Sequence, residues 1–376
     1  MRRGFAPEEY QARVRAAQSG MAAAGLGALL LTTEPEIRYF TGFLTRFWES
    51  PSRPWFLILP VTGDPVAVIP SIGAPLMART GLRDIRTWAA PDPEDDGVSL
   101  LAETLREIGG PVGVPSGPES HLRMPLADFE RVKRASALVF RDDAGIMAGL
   151  RAVKSEAEIV KIAHICGIAA RAFDRVGEIA QPGVPLSVVF RDFQRLLLEE
   201  GADWVPYIAG GAGPLGYADV ISPAGEVPLA MGDVLMLDTG AVWDGYFCDY
   251  DRNFAIGHAT AEQSAANARL IEATQAGEEA ARAGATASDV WQAMARITGS
   301  DETSGRLGHG LGMQLTEGLS LTPKDHSILT PGMVITLEPG VELAPGLIMV
   351  HEENIVIREG RAQSLSRFAA SNLPVI

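Results

Sequence analysis

Cysteine is almost missing from this 376-residue chain, with Cys166 and Cys248 its only two. Two thiols cannot build a disulfide framework and neither belongs to a CxxC pair, so a reducing compartment fits and zinc–thiolate chemistry does not. Basic residues are also scarce, 32 against 47 acidic ones, which leaves a formal charge of -15. Nucleic acid or an anionic membrane would meet an unfavourable field, and neither is expected as a partner. Long apolar runs are lacking as well. The longest early one, Leu26 to Leu31, falls far short of a membrane span, and the opening MRRGFAPEEY has no signal-peptide core. A cytoplasmic protein is the expectation. What the chain does have is 47% hydrophobic residues, enough at this length for two globular domains with separate cores.

From Pro7 to Ala24 the spacing of Tyr10, Val14, Ala17 and Met21 predicts an amphipathic helix, and LGALLLT after it reads as a buried strand. WFLILPV and PVAVIP, separated by the turn-like TGD, read as paired strands, and PVGVP as another. These segments predict an α/β domain over residues 1–150. Ser155 then caps a new helix, with Glu158 completing a capping box, and opens a second domain over 151–376.

The second domain repeats itself. Gly183 and Ser187 stand 101 residues before Gly284 and Ser288, each Ser placed to cap the helix that follows. MGDVLMLDTG matches PGMVITLEPG at an offset of 100, aligning Gly232 with Gly332 and Asp238 with Glu338. Each half therefore reads as two helices followed by an antiparallel hairpin, and the domain as an α+β duplication about a pseudo-twofold axis.

In the first half, Asp244 and Gly245 suit a two-residue type I′ turn, so the hairpin register can be counted. Asp238 faces Asp251, Gly240 faces Asp249, and all three carboxylates project from one face. On strands as apolar as VLML they would repel one another and suffer desolvation unless protonated or bound to cations. The second half adds Glu338, Glu352 and, between glycines, His309. Without Asp251 these are four carboxylates, Asp238, Asp249, Glu338 and Glu352, and one imidazole, a set that suits manganese, iron(II), cobalt or zinc better than magnesium. Two ions fill their shells with five side chains if Asp249 and Glu352 are shared.

MLDTG with Asp238, YFCDYDRNF with Asp249, GHGLG with His309, TLEPG with Glu338 and HEENIVI with Glu352 together resemble the pita-bread metallopeptidase family. That family includes methionine aminopeptidase, aminopeptidase P, prolidase and creatinase. IRYFTGF and RPWFLILP resemble the smaller N-terminal domain of creatinase, prolidase and aminopeptidase P. The resemblance implies that Asp238 chelates one metal, that His309 and Glu338 bind the other, and that Asp249 and Glu352 bridge them. It makes Glu338 the catalytic proton acceptor and manganese the first candidate among the metals. It also implies a homodimer, with Trp48 of the N-terminal domain either lining a pocket or merely packing.

Departures from the family pattern bear on the substrate. Peptidase members carry a histidine a few residues after GHGxG, where this chain has Thr316, and no histidine occurs between Tyr207 and Ala230, where a second is expected. Asp251 replaces a common threonine and has three open roles: orienting a ligand, binding metal, or countering a cationic substrate. Tyr217 either gives its hydroxyl to the substrate or packs in its loop. The expected activity is hydrolysis of a C–N bond in a small amide, a dipeptide or an amino-acid derivative, with Tyr217, Asp251 and Thr316 near a polar and even cationic substrate. Xaa-Pro dipeptides are expected to be poor substrates. The alternatives are a metal-dependent lyase on the same fold and a non-catalytic binding protein.

Overall fold

Leucine-rich and β-branched runs become the buried strands of the first unit, as their continuous apolarity requires. In this computed structural model, which describes residues 2–50 and 54–376, the chain divides into two compact units, Met1–Arg151 and Ala152–Ile376. The first is built on six strands, β1 (Ala28–Leu31), β2 (Phe56–Pro60), β3 (Val66–Pro70), β4 (Asp84–Trp88), β5 (Val112–Val114) and β6 (Phe140–Asp142). They form one mixed sheet in the order β4-β3-β2-β1-β5-β6, with β2 antiparallel to both its neighbours. Helices α1 (Pro7–Ala24), α2 (Glu34–Thr41), α3 (Ala74–Ala78), α4 (Val98–Ile108), α5 (Leu126–Ser136) and α6 (Ile146–Ala152) accompany it. Leu101 and Leu105 of α4 and Val132 of α5 pack on Leu30, Phe56, Ile58 and Val68 of the sheet. Trp48 packs within this unit, its ring 5.7 Å from that of Trp55 and beneath the Arg123 guanidinium.

The second unit shows the repeat directly. Its first half is α7 (Glu156–Asp174), α8 (Leu186–Glu199), β7 (Trp204–Gly213), β8 (Val234–Trp243), β9 (Tyr246–Phe247) and β10 (Tyr250–Ala255). Its second half is α9 (Ala261–Ala280), α10 (Ala287–Thr298), β11 (Val334–Leu337), β12 (Gly340–Ala344), β13 (Leu347–Val350), β14 (Glu353–Val356) and β15 (Gln363–Ser364). Equivalent hydrogen bonds recur in the two halves: Gly183 N–H to Leu229 O matches Gly284 to Leu329, and Ser187 N–H to Gly225 O matches Ser288 to Asp325. Gly232 and Gly332 both take left-handed backbone, with φ of 86° and 92°, and turn their N–H groups onto Ile256 O and Ile357 O.

The helix caps differ in part from the sequence reading. Ser155 does cap α7, accepting from Glu158 N–H while Glu158 accepts from Ser155 N–H. Ser187 and Ser288 do not cap α8 and α10. The α10 cap is Thr286, two residues earlier, in a capping box with Asp289, and this leaves the Ser288 hydroxyl to donate to Pro323 O. Helix α8 starts after Pro185 with no side-chain cap.

The hairpins place the carboxylates. Asp244 and Gly245, at φ 49° and 80°, form the tight turn after β8, and β10 pairs with β8 in the counted register, Asp238 opposite Asp251 and Thr239 opposite Tyr250. In the second half β11 pairs with β14, Leu337 opposite Glu353, so one further step sets Glu338 against Glu352.

Candidate metal centre

Asp238 lies in β8, Asp249 just before β10, Glu338 just after β11 and Glu352 just before β14. Paired strands of the two halves thus supply all four carboxylates, Asp238 from within its strand and the other three from strand ends. His309 joins them from the loop GHGLG. Its Nε2 lies 3.3 Å from Asp249 Oδ2 and 3.0 Å from Glu338 Oε1, and ligand atoms of Asp249, His309 and Glu352 all fall within 4.8 Å of one another. Asp238, Glu338 and Glu352 line a cavity of about 530 Å³ together with Tyr207 and Asp251.

The electrostatics show what this cavity demands. Burial, followed by the charges of Asp249, Asp251 and Glu338, holds the Asp238 carboxyl well above its ordinary range. Burial, then Asp249 and Glu338, does the same to Glu352. Asp249 is pushed up to about 6, chiefly by burial and against the pull of His309. For His309 burial acts downward, but its hydrogen bonds to Asp249 and Glu338 outweigh it and raise the imidazole to about 10. Glu338, with His309 and Thr336 overcoming its burial, is held down to about 2. Two buried oxygens, Asp238 Oδ1 and Glu352 Oε1, have no hydrogen-bond partner. Orphaned carboxylate oxygens on two residues of one cavity are costly unless a cation takes them, so the residues fit a divalent metal centre.

Neighbouring groups hold each donor in place. The His309 Nδ1–H donates to Gly310 O at 2.9 Å, and since a carbonyl can only accept, this sets the tautomer that turns Nε2 toward the carboxylates. Thr336 Oγ1 accepts from His309 N–H at 3.0 Å and donates to Glu338 Oε1, tying the two together. Asn354 clamps the Asp249 backbone, accepting from its N–H at 3.1 Å and donating to its carbonyl. Arg252 pairs with Glu353 at 2.9 Å and donates to Glu352 O at 3.0 Å. The sequence reading missed Tyr207, Thr336 and Asn354. Thr336 was within reach of it, since a residue two before Glu338 on a strand shares its face.

The three expected substrate residues fare differently. Tyr217 takes the packing alternative: it is buried in an apolar cluster with Met236 and Val341, and its hydroxyl donates to Asn253 Oδ1 at 3.1 Å and accepts from Val350 N–H at 2.7 Å. Asp251 is buried and accepts from Glu352 N–H at 3.1 Å, with His351 Nδ1 3.5 Å away, so its carboxylate orients Glu352. Thr316 is half-buried, and its Oγ1 lies 3.5 Å from the Arg306 guanidinium.

With this geometry on hand, comparison with known proteins is direct. The profile of metallopeptidase family M24 matches residues 160–359, and that of the creatinase/prolidase N-terminal domain matches residues 13–153. The chain belongs to metallopeptidase family M24. As a two-domain M24 protein of pita-bread fold it is a metal-dependent hydrolase of C–N bonds. The probable dipeptidase PepE of Mycobacterium tuberculosis is 30% identical over 368 residues, covering 94% of this chain and 93% of that one. The ectoine hydrolase of Halomonas elongata is 24% identical, with 97% and 96% covered. Among solved structures, dipeptidase PepE from Mycobacterium ulcerans superposes with a TM-score of 0.84 at 26% identity, covering 99% of each chain. A prolidase from Thermococcus sibiricus, at 22% identity and a TM-score of 0.87 over 99% of this chain and 100% of that one, shares the M24 fold.

Proposed function

We propose that this protein hydrolyses the C–N bond of a small peptide or amide with two divalent ions held by Asp238, Asp249, His309, Glu338 and Glu352, of which Asp249 and Glu352 are shared. The observation that carries the reading is the pair of buried, unpartnered oxygens, Asp238 Oδ1 and Glu352 Oε1, inside a cluster of carboxylates around one imidazole. Bound there, divalent ions supply Lewis acidity and a water of lowered pKa. Glu338 takes the proton released as the amide carbonyl is attacked, and the Thr336 hydroxyl holds that carboxylate at a fixed angle. Asp251 fixes the backbone of Glu352, and Asn354 that of Asp249.

Manganese is the first candidate metal, with iron(II), cobalt and zinc after it, because a mixed carboxylate–imidazole set suits them. A homodimer and a cytoplasmic location complete the reading, resting on the family resemblance and on the cysteine-poor composition. Relatives that carry hydrolase names do not favour the lyase alternative.

The test is metal content and solvent isotope. Protein purified without chelator should hold close to two ions per chain, and Asp249→Ala or Glu352→Ala should lose most of them. Full occupancy in both variants refutes the shared ligands. Turnover in oxygen-18 water should place solvent oxygen in the product. Light scattering should give about twice the chain mass of 40.0 kDa.

A further inference from the structure

Few groups of the cavity beside the metal ligands can donate a hydrogen bond to a substrate oxygen. Among the described residues no histidine lines it, and both places where the family pattern sets a further histidine are without one. Its hydroxyls on the stretch after α10 are turned on their own neighbours: Thr298 Oγ1 and Ser300 Oγ are 2.7 Å apart, and Ser304 Oγ accepts from Asp301 N–H at 3.0 Å. Tyr207 also lines the cavity, and it comes from the strand beside the ligands.

Strand β7 pairs with β8, Tyr207 opposite Gly240 and Ala209 opposite Asp238. Residues facing each other across a pair share a side of the sheet, as do residues two apart on one strand, so Tyr207 lies on the face that carries Asp238. Its seat is tight. Thr239 Oγ1 donates to Tyr207 O at 3.3 Å, and glycine at 240 leaves the side chain its room, since a Cβ there would fall 3.2 Å from Tyr207 Cβ and collide with Leu315 Cδ1. Burial first, then the charges of Asp238 and Asp249 and a hydrogen bond to Asp238, raise the phenol well above its ordinary range, so it keeps its proton. Once the Asp238 oxygens are committed to a cation, that proton is left for a substrate oxygen in the same cavity.

We propose that Tyr207 is a catalytic residue whose O–H donates to the carbonyl oxygen of the scissile amide and stabilises the negative charge that develops there as water attacks. The proton stays on the phenol throughout, and no covalent bond is made or broken at Tyr207. A neutral donor on a fixed strand thus does the work for which this cavity has no imidazole. The proposal rests on the hydrolase reading above, but recognition of an oxyanion can be measured without turnover.

The experiment compares the wild-type protein with Tyr207→Phe, which removes only the hydroxyl, at full and measured metal content. Inorganic phosphate is the probe, a tetrahedral oxyanion that needs no particular substrate side chain, and its binding is read by calorimetry. Loss of one hydrogen bond to a charged oxygen predicts that Tyr207→Phe binds phosphate about 10- to 100-fold more weakly, with both ions retained. With any substrate that is turned over, kcat should fall by about 100- to 1000-fold while KM stays within a few fold. A merely structural Tyr207, propping Asp238, would instead weaken metal affinity in chelator competition and leave phosphate binding and kcat unchanged once the ions are saturating. That result, equal phosphate affinity in the two proteins, or no binding of phosphate by the wild type overturns the proposal. Phosphate binding that depends on Tyr207, with no oxygen-18 incorporation from water, would refute hydrolysis and leave the oxyanion donor standing.

Discussion

Replacing Lys154 with Met would show how the loop that carries His309 is kept in place. Lys154 Nζ lies 2.9 Å from Glu317 Oε1, with the two side chains only 2% and 7% exposed. Glu317 also closes the loop, since its N–H donates to Gly310 O at 2.8 Å and its other carboxylate oxygen accepts from Gln314 N–H at 3.2 Å. Removing the amine takes the Lys154 charge away from a buried carboxylate, a change that costs about 3–5 kcal/mol. For a unit the size of the second one this lowers Tm by roughly 6–20 °C. The double variant Lys154→Met with Glu317→Leu buries no stranded charge and should recover much of the loss, because an apolar pair of similar volume is often no worse than a buried ion pair. Scanning calorimetry of the metal-loaded proteins, with metal analysis of each, is the assay. A loss below about 1 kcal/mol in Lys154→Met, or a double variant as damaged as the two single changes added together, would refute the reasoning.

Metal loading should release protons: at pH 7 His309, raised to about 10, holds one that its Nε2 must lose, and below about 6 Asp249 holds another. Affinity should therefore fall as the pH is lowered, by about tenfold per unit for each proton displaced, and calorimetry at pH 7 that gave the same heat in buffers of different ionisation enthalpy would contradict this. Thr336→Val removes the hydroxyl shared by His309 and Glu338 and should weaken metal affinity by about 10- to 100-fold, read by chelator competition. Tyr217→Phe should cost about 1–3 kcal/mol of stability, because the Val350 N–H loses its acceptor, while kcat/KM stays within a few fold; a collapse of turnover would restore Tyr217 to the site. Xaa-Pro dipeptides, with Thr316 where relatives place a histidine, should be hydrolysed with kcat/KM below about 10⁴ M⁻¹s⁻¹.

The candidate cluster was legible because acids on apolar strands are anomalies, and because an Asp-Gly turn at Asp244 and Gly245 lets the register be counted outward to Asp238 and Asp251. The duplication was legible because it repeats whole strings. What stayed hidden depends on segments meeting across long stretches of sequence. Asn354 clamps Asp249 from 105 residues away, and no local pattern marks an asparagine for that task. Tyr217 seemed available in a glycine-rich loop until the bridge between Tyr217 and Ile348 brought Val350 N–H against its hydroxyl. Ser288 was misread because Thr286 satisfies the same capping rule two residues earlier, with Asp289 in place to complete the box.

Neither half of the repeat holds a whole ligand set: Asp238 and Asp249 come from the first, and His309, Glu338 and Glu352 from the second. Ions bound in the proposed way would therefore act as a rivet through the seam between two copies of one ancestral unit. Chelation would loosen that seam as well as stop turnover, and the stretch between β10 and α9 would become the place where a protease cuts first. Two fragments severed there would each carry an incomplete claw, and divalent metal would decide whether they close on each other again.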